Sequence, residues 1–264
     1  MSLSSILSII SARWDKYNFL FEELVKRDFK ARYKRATLGI LWSLLGPLLQ
    51  LLVMALIFTH FFGRTTPHFI IYLFAGKLVF LCFKDATSAG MQSLMANAGI
   101  ITKIKTPKYI FLLSKNVSAL INFLLTLIIF FIFVAADGIA FHPRFIFLLY
   151  PILCLMLFNI GVGLFLSAIF VFFKDTQYLY DIFTMMVMWL SAIFYPIDRF
   201  SYQVQQLFML NPIFTYIQYF RSVVIDGTVP SLTFHAICGF YALAAFVIGS
   251  WVYKRYNYRF VYYM

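Results

Sequence analysis

From Leu38 to Gly63 the chain carries no Lys, Arg, Asp or Glu. Roughly 20 predominantly apolar residues are enough for a helix to cross the hydrocarbon core of a bilayer. Directly upstream stand Lys26, Arg27, Lys30, Arg32, Lys34 and Arg35. Bases beside a membrane helix keep that end in the cytoplasm, so this first helix is expected to run from inside to outside. Near its middle lies Gly46-Pro47. The proline removes the hydrogen bond to the Ser43 carbonyl and should bend the helix there.

The remaining sequence fits that beginning. Hydrophobic residues make up 62% and charged residues 12%, about half the charged share of a soluble globular protein. At 264 residues the simplest organisation is one polytopic membrane domain. A net charge of +12 in a soluble chain would suggest nucleic acid, but here position matters more than sign. Further spans are expected at Phe69–Met95, Asn116–Ala136, Phe145–Phe173, Ile182–Pro196 and Ser231–Tyr253. With six spans, sixteen of the 22 Lys and Arg fall on the cytoplasmic side together with both termini. The apolar stretch Leu3–Ile10 is too short, and lacks the preceding bases, for a signal peptide, so the first membrane helix would do the targeting. Cys82, Cys154 and Cys238 are isolated in apolar runs and read as small buried hydrophobes.

Residues 11–36 read as an amphipathic helix, with Phe21, Leu24, Val25, Phe29 and Tyr33 on one face. Glu22–Lys26, Glu23–Arg27 and Asp28–Arg32 are acid-before-base pairs at four-residue spacing. Such a helix lies in the headgroup plane, either as a topology-setting flank or as an interface that also touches a cytoplasmic partner. On the second span Lys77 and Lys84 share a face, with Asp85 beside the stripe. They either snorkel and pair locally or line a path for an anionic cargo. The loop 97–108 sets Ile100, Ile101 and Ile104 among Lys103, Lys105 and Lys108, a pattern suited to docking. Asn159, Gly161, Gly163 and Ser167 suit close helix contact. Val204–Leu210 and Ile213–Ile225 are each too short to span, and Asn211-Pro212 separates them. They predict either a re-entrant hairpin packed on protein or an interfacial loop.

Motifs for covalent chemistry are missing. Gly76-Lys77-Leu78 lacks the hydroxyl of a nucleotide-binding loop, HExxH does not occur, and the four histidines are scattered. Energy for transport must therefore come from a partner or an ion. Most of the 33 Phe and 17 Tyr suit interfacial belts. Trp189, Phe194 and Tyr195 could instead face a conduit, where flat rings offer sugars an apolar face.

Read together, RDFKARYKRATLGILWSLLGPLLQ (27–50), YLFAG (72–76), NAGIITKIKTPK (97–108), FFKDTQYLYDIF (172–183), WLSAIFYPID (189–198) and NPIFTYIQYFR (211–221) resemble the permease subunit of ABC-2 type exporters for cell-surface polysaccharides and polyol phosphates. The resemblance covers nearly the whole chain and looks nearest to O-antigen exporters, with capsule and teichoic acid exporters behind. It implies an all-α polytopic membrane protein, the type V exporter fold. That fold has six transmembrane helices, an N-terminal amphipathic interface helix and an outer re-entrant gate hairpin. Residues 1–37 would be the cytoplasmic interface segment and 38–264 the transmembrane domain, with a coupling loop at 97–108 and the gate hairpin at 197–230. The implied assembly is a homodimer in the bacterial inner membrane with two copies of a cytoplasmic ATPase, which binds ATP and Mg; this chain itself needs no cofactor or metal. Together they would move a lipid-linked glycan outward.

By the same resemblance Phe29, Arg32, Tyr33, Ile100, Ile101, Lys103, Ile104 and Lys105 would couple to the ATPase. Trp42, Trp189, Phe194 and Tyr195 would line the conduit, and Asn211, Pro212, Tyr216 and Arg221 would belong to the outer gate; Lys77 and Lys84 are added to the conduit candidates from their shared helix face alone. Phe80 departs from the pattern where Trp is common, and Lys84 is unusually charged. A secondary transporter would show broken helices at matching positions in two repeats, and here the broken element occurs once. A membrane transferase would cluster acids or histidines at one surface, yet the chain's ten acids are thinly spread. A passive channel would look like the permease without its ATPase.

Overall fold

The structure is a computed structural model that describes residues 17–31, 41–61 and 67–264, and among these it contains helices and no strands. Helix α1 spans residues 17–31. It is followed by α2 (Leu41–Phe61), α3 (Phe69–Ala96), the short α4 (Ala98–Ile101) and α5 (Tyr109–Ala136). A 3₁₀ turn at Pro143–Leu148 leads into α6 (Leu149–Phe172), and α7 (Thr176–Leu190) follows. Then come α8 (Tyr202–Phe208), α9 (Pro212–Val224), α10 (Leu232–Tyr256) and α11 (Phe260–Tyr263). Among the described residues three helical segments, Tyr109–Ala136, Pro143–Phe172 and Leu232–Tyr256, are long and apolar enough to cross a membrane.

Two boundaries differ from expectation for physical reasons. Helix α5 begins at Tyr109 instead of Asn116, because the Lys115 ammonium inside its second turn is bonded to Asp28 at 2.8 Å and does not interrupt it. The predicted span Ile182–Pro196 is displaced: α7 starts at Thr176 and stops at Leu190. Its 15 residues cover about 22 Å, short of a hydrocarbon core of about 30 Å. The chain then leaves helical geometry, and Ala192 takes a left-handed φ of 48°.

Small residues bring the long helices together. A Cβ on Gly161 would stand 2.4 Å from the Ala245 backbone, and one on Gly249 would stand 2.0 Å from the Gly161 carbonyl oxygen. A Cβ on Gly90 would reach the Gly163 Cα at 3.2 Å. Helices α3, α6 and α10 thus meet backbone to backbone, the packing that membrane helices use where burying apolar surface alone drives no association. Around this seam lie two apolar clusters. The larger includes Phe74, Phe130, Tyr216 and Phe220, and the smaller joins Leu24 of α1 to Leu94, Ile101, Phe111 and Phe260. The bundle therefore has a Lys115 end, near the smaller cluster, and an Asp137 end, where His68 Nδ1 meets Asp137 Oδ2 at 2.5 Å.

Candidate functional site

At the Asp137 end, α7 stops and residues 191–196 run without helix. A helix terminus leaves carbonyls without intrahelical partners, and in an apolar setting they must be met by other donors. Arg221 of α9 meets them. Its Nη1 donates to the Ala192 carbonyl at 3.0 Å and its Nη2 to the Ile193 carbonyl at 3.2 Å. The same Nη2 and Nε also reach the Tyr72 carbonyl on α3, at 3.2 and 3.4 Å. The guanidinium carbon lies over the Tyr72 ring, 3.3 Å from its centroid. The Tyr72 hydroxyl donates in turn between the Tyr195 and Ala192 carbonyls, at 2.9 and 3.3 Å. Gly76 makes this possible, because a Cβ there would stand 3.0 Å from Arg221 Nη2 and 3.2 Å from Ile193. Arg221 is 2% exposed and makes no ion pair among the described residues. Its partners are carbonyl oxygens and a ring.

The other end of α9 is tied to the same break. Asn211 caps the helix, its Oδ1 accepting from the Ile213 and Phe214 amides at 3.0 and 3.4 Å. Its Nδ2 donates to Ser191 Oγ at 2.9 Å and the Leu190 carbonyl at 3.2 Å. Pro212 follows at the first helical position, where its fixed φ suits the turn and no amide is lost. Tyr216 is fully buried and donates to the Cys238 carbonyl of α10 at 3.0 Å. His235 approaches the Ser231 carbonyl through Nδ1, so that nitrogen carries the proton, and its Nε2 faces the Tyr219 hydroxyl at 2.7 Å. Asn211, Pro212, Tyr216 and Arg221 therefore stand in one bonded assembly that holds α3, the end of α7, α9 and α10 in register.

The conduit candidates are divided by the fold. Trp42 on α2 and Trp189 on α7 are about half exposed. Phe194 is buried, its ring 5.0 Å from that of Trp189, and the Tyr195 hydroxyl donates to the Trp189 carbonyl at 2.7 Å. From Tyr195 the aromatic contacts continue through Phe208 to Phe214. Lys77 and Lys84 are half-buried on α3 and make no ion pair or side-chain hydrogen bond among the described residues. Phe80, between them, lies in the core.

At the Lys115 end, α1 is clasped to the bundle by an acid. Asp28 is 8% exposed and accepts from Arg27 at 2.9 Å, Lys115 at 2.8 Å and Ser114 at 3.2 Å. Arg27 also donates to Asn97 Oδ1 at 2.8 Å, and Asn97 Nδ2 donates to the Ser93 carbonyl at 2.7 Å. Leu24, one turn before Asp28, is buried against the smaller cluster, while Phe29 is half-buried. Of the coupling candidates, Ile101 is buried and Ile100 half-buried, whereas Lys103, Ile104 and Lys105 are exposed. Arg32 and Tyr33 lie outside the described residues. Nearby, Lys108 donates to the Asn257 carbonyl at 2.6 Å, and burial holds its ammonium below the usual lysine range.

Sequence reasoning paired Asp28 with Arg32 and gave Tyr72 no role. Asp28 carried a signal, since it lies four residues after Leu24 on the apolar face, where a carboxylate needs cations from another element. Tyr72 carried none; its partners are more than a hundred residues away.

With this geometry in view, a family model described as ABC-2 type transporter matches residues 20–225. The chain is 28% identical over 221 residues to the O-antigen export system permease protein RfbA of Myxococcus xanthus, covering 81% of this chain and 84% of that protein. It is 26% identical over 252 residues to the protein of the same name from Klebsiella pneumoniae, covering 93% and 96%. To the polysialic acid transport protein KpsM of Escherichia coli it is 22% identical over 236 residues, covering 88% and 92%.

Proposed function

This chain belongs to the ABC-2 type transporter family, and from that premise we propose that it is the channel-forming membrane subunit of an ATP-driven polysaccharide exporter. Its cargo is a lipid-linked, O-antigen-like glycan moved outward across the bacterial cytoplasmic membrane. The observation that carries this reading is near full-length similarity to an O-antigen export permease, 93% of this chain against 96% of that protein. Export of a capsular glycan is the second reading, favoured by the similarity to the polysialic acid transporter.

In the proposed arrangement six spans are formed by α2, α3, α5, α6, α10 and α7 extended by the non-helical residues 191–196, with both termini in the cytoplasm. The Lys115 end is then cytoplasmic and the Asp137 end faces out. Helices α8 and α9 form the outer re-entrant pair, held against α3 and α7 by Arg221 and Asn211. Two copies enclose the conduit, and the exposed apolar faces of α2 and α7 supply contact surface between them. Two copies of a separate ATPase, holding ATP and Mg, dock on Lys103, Ile104, Lys105 and α1. Because Asp28 bonds α1 to α5 and Arg27 bonds it to Asn97, a push on α1 passes directly into the bundle. The chain itself carries out no covalent chemistry.

Disruption of the gene tests the reading: the surface glycan is lost and its lipid-linked precursor accumulates inside the cell. Normal surface glycan in the disrupted strain would refute it. Lys77 and Lys84 are proposed to face the anionic part of the cargo. K77Q together with K84Q should cut the initial export rate several-fold while leaving the amount of folded protein unchanged, and an unaltered rate removes both lysines from the path.

A further inference from the structure

The C-terminal turn builds a second site. After α10 the chain reverses at residues 257–259, with the Arg259 amide donating to the Tyr256 carbonyl at 2.9 Å. Phe260 is then fully buried, 5.2 Å from Tyr253 and 6.0 Å from Phe172 between ring centroids, with the Lys108 ammonium 5.6 Å over its face. The Lys108 bond to the Asn257 carbonyl at 2.6 Å closes the turn from the other side. Between α11 and the ends of α6 and α10 lies a cleft of about 500 Å³. Such a volume lies within the ordinary range for small-molecule sites.

The cleft is amphipathic. Ile169 and Val252 form an aliphatic floor, and Phe172 forms a wall, its ring edge-on to Tyr263 at 4.9 Å and to Tyr256 at 5.8 Å. Arg259 lines the cleft as well, is exposed, and makes no ion pair or side-chain hydrogen bond among the described residues. Lys254 and Arg255 lie on the last turn of α10 beside the lining residues Val252 and Tyr256, and Lys174 follows the lining residue Phe173 in sequence. A soluble anion has no use for the aliphatic floor, and a plain hydrocarbon has none for Arg259. A molecule with a phosphate and a hydrocarbon tail uses both, and a basic pocket between membrane helices on the cytoplasmic side is where such head groups bind.

We infer that this cleft holds an anionic phospholipid of the cytoplasmic leaflet, with its phosphate on Arg259 and a tail along Ile169 and Val252. The inference rests on the proposed membrane placement and not on the identity of the cargo.

The test uses the full chain with its co-purifying ATPase in nanodiscs of phosphatidylethanolamine and phosphatidylglycerol, with retained lipids counted by native mass spectrometry. Phosphatidylglycerol should be retained over phosphatidylethanolamine, and Arg259→Gln should lower that retention about tenfold, the loss expected of one charge-assisted phosphate contact. Arg259→Lys should keep part of it, and Arg144→Gln at the opposite end should leave it unchanged. Excess inorganic phosphate should not displace the lipid. Equal retention of the two lipids, a wild-type value for Arg259→Gln, or displacement by phosphate would overturn the inference. So would efficient crosslinking of Tyr263→Cys to the ATPase in the intact complex, which would mark the cleft as a subunit contact. Each of these outcomes leaves glycan export by the complex, and hence the exporter reading, untouched.

Discussion

Arg221 and Asp28 are both ionised side chains sunk into an apolar bundle, and the fold satisfies them in opposite ways. Arg221 faces the carbonyls of Tyr72, Ala192 and Ile193, all backbone. Asp28 faces Arg27, Lys115 and Ser114, all side chains drawn from two helices. The chemistry explains the division. A guanidinium offers five donors in a rigid fork, so it can replace the amide donors that a broken helix no longer supplies. A carboxylate only accepts, so it can join elements only by gathering cations from them. The first device repairs one permanent break deep in the fold. The second fastens an added helix at an edge where Arg27 is 43% exposed and Lys115 is 23% exposed, close to water and salt.

If that contrast is right, the two sites should respond differently to damage. Arg221→Leu should be the worst change, costing roughly 3–5 kcal/mol, because several carbonyls lose their donors in an apolar setting. Arg221→Lys should recover little, since one ammonium cannot reproduce the fork over Tyr72. Thermal unfolding in detergent reads both, and a Lys variant as stable as wild type would show that charge alone matters there. Asp28→Asn should cost about 1–2 kcal/mol, discounted for the partial exposure of its cationic partners, and chiefly loosen α1. Limited proteolysis between α1 and α2 should quicken in that variant. Raising salt from 0.05 to about 0.5 M should narrow the Asp28→Asn difference through screening and leave the Arg221→Leu difference intact. Equal salt sensitivity at the two sites would erase the distinction.

A smaller change sharpens the comparison further. Ala192 sits at φ 48°, a left-handed conformation that costs an alanine about 1–2 kcal/mol. Ala192→Gly relieves that strain but gives the unfolded chain more freedom, so the net effect should fall within about 1 kcal/mol of zero. Stability therefore rests on the bonds to the Ala192 carbonyl and not on its side chain. A large loss in the glycine variant would contradict this.

Much of the helical framework was legible in the sequence because charge-free runs bounded by basic residues announce themselves. The two short segments around Asn211-Pro212 fall within two residues of α8 and α9, since each is an apolar run too short to span and Asn-Pro separates them. The end of α7 was not legible. The apolar run through Ala192, Ile193 and Phe194 reads as more helix, and the distant Arg221, Tyr72 and Asn211 make a break there tolerable. The Arg221 staple was half legible: the residue stood out as a base in an apolar segment, but its partners on α3 lie 149 positions away. The Asp28 clasp was not legible, because helical spacing shows neighbours on one helix and says nothing of Lys115 on another, while the expected partner Arg32 lies outside the described residues.

The central claim is that this chain is the membrane half of a two-part exporter, with its partner on the clasped end. The most direct measurement is purification of the complex in mild detergent, with its mass, subunit stoichiometry and ATPase activity determined together. The account predicts two copies of this chain with two copies of a nucleotide-hydrolysing subunit, and crosslinks from Ile104→Cys to that subunit. A chain that purifies alone, retains no ATPase and yields no crosslink from position 104 would contradict it.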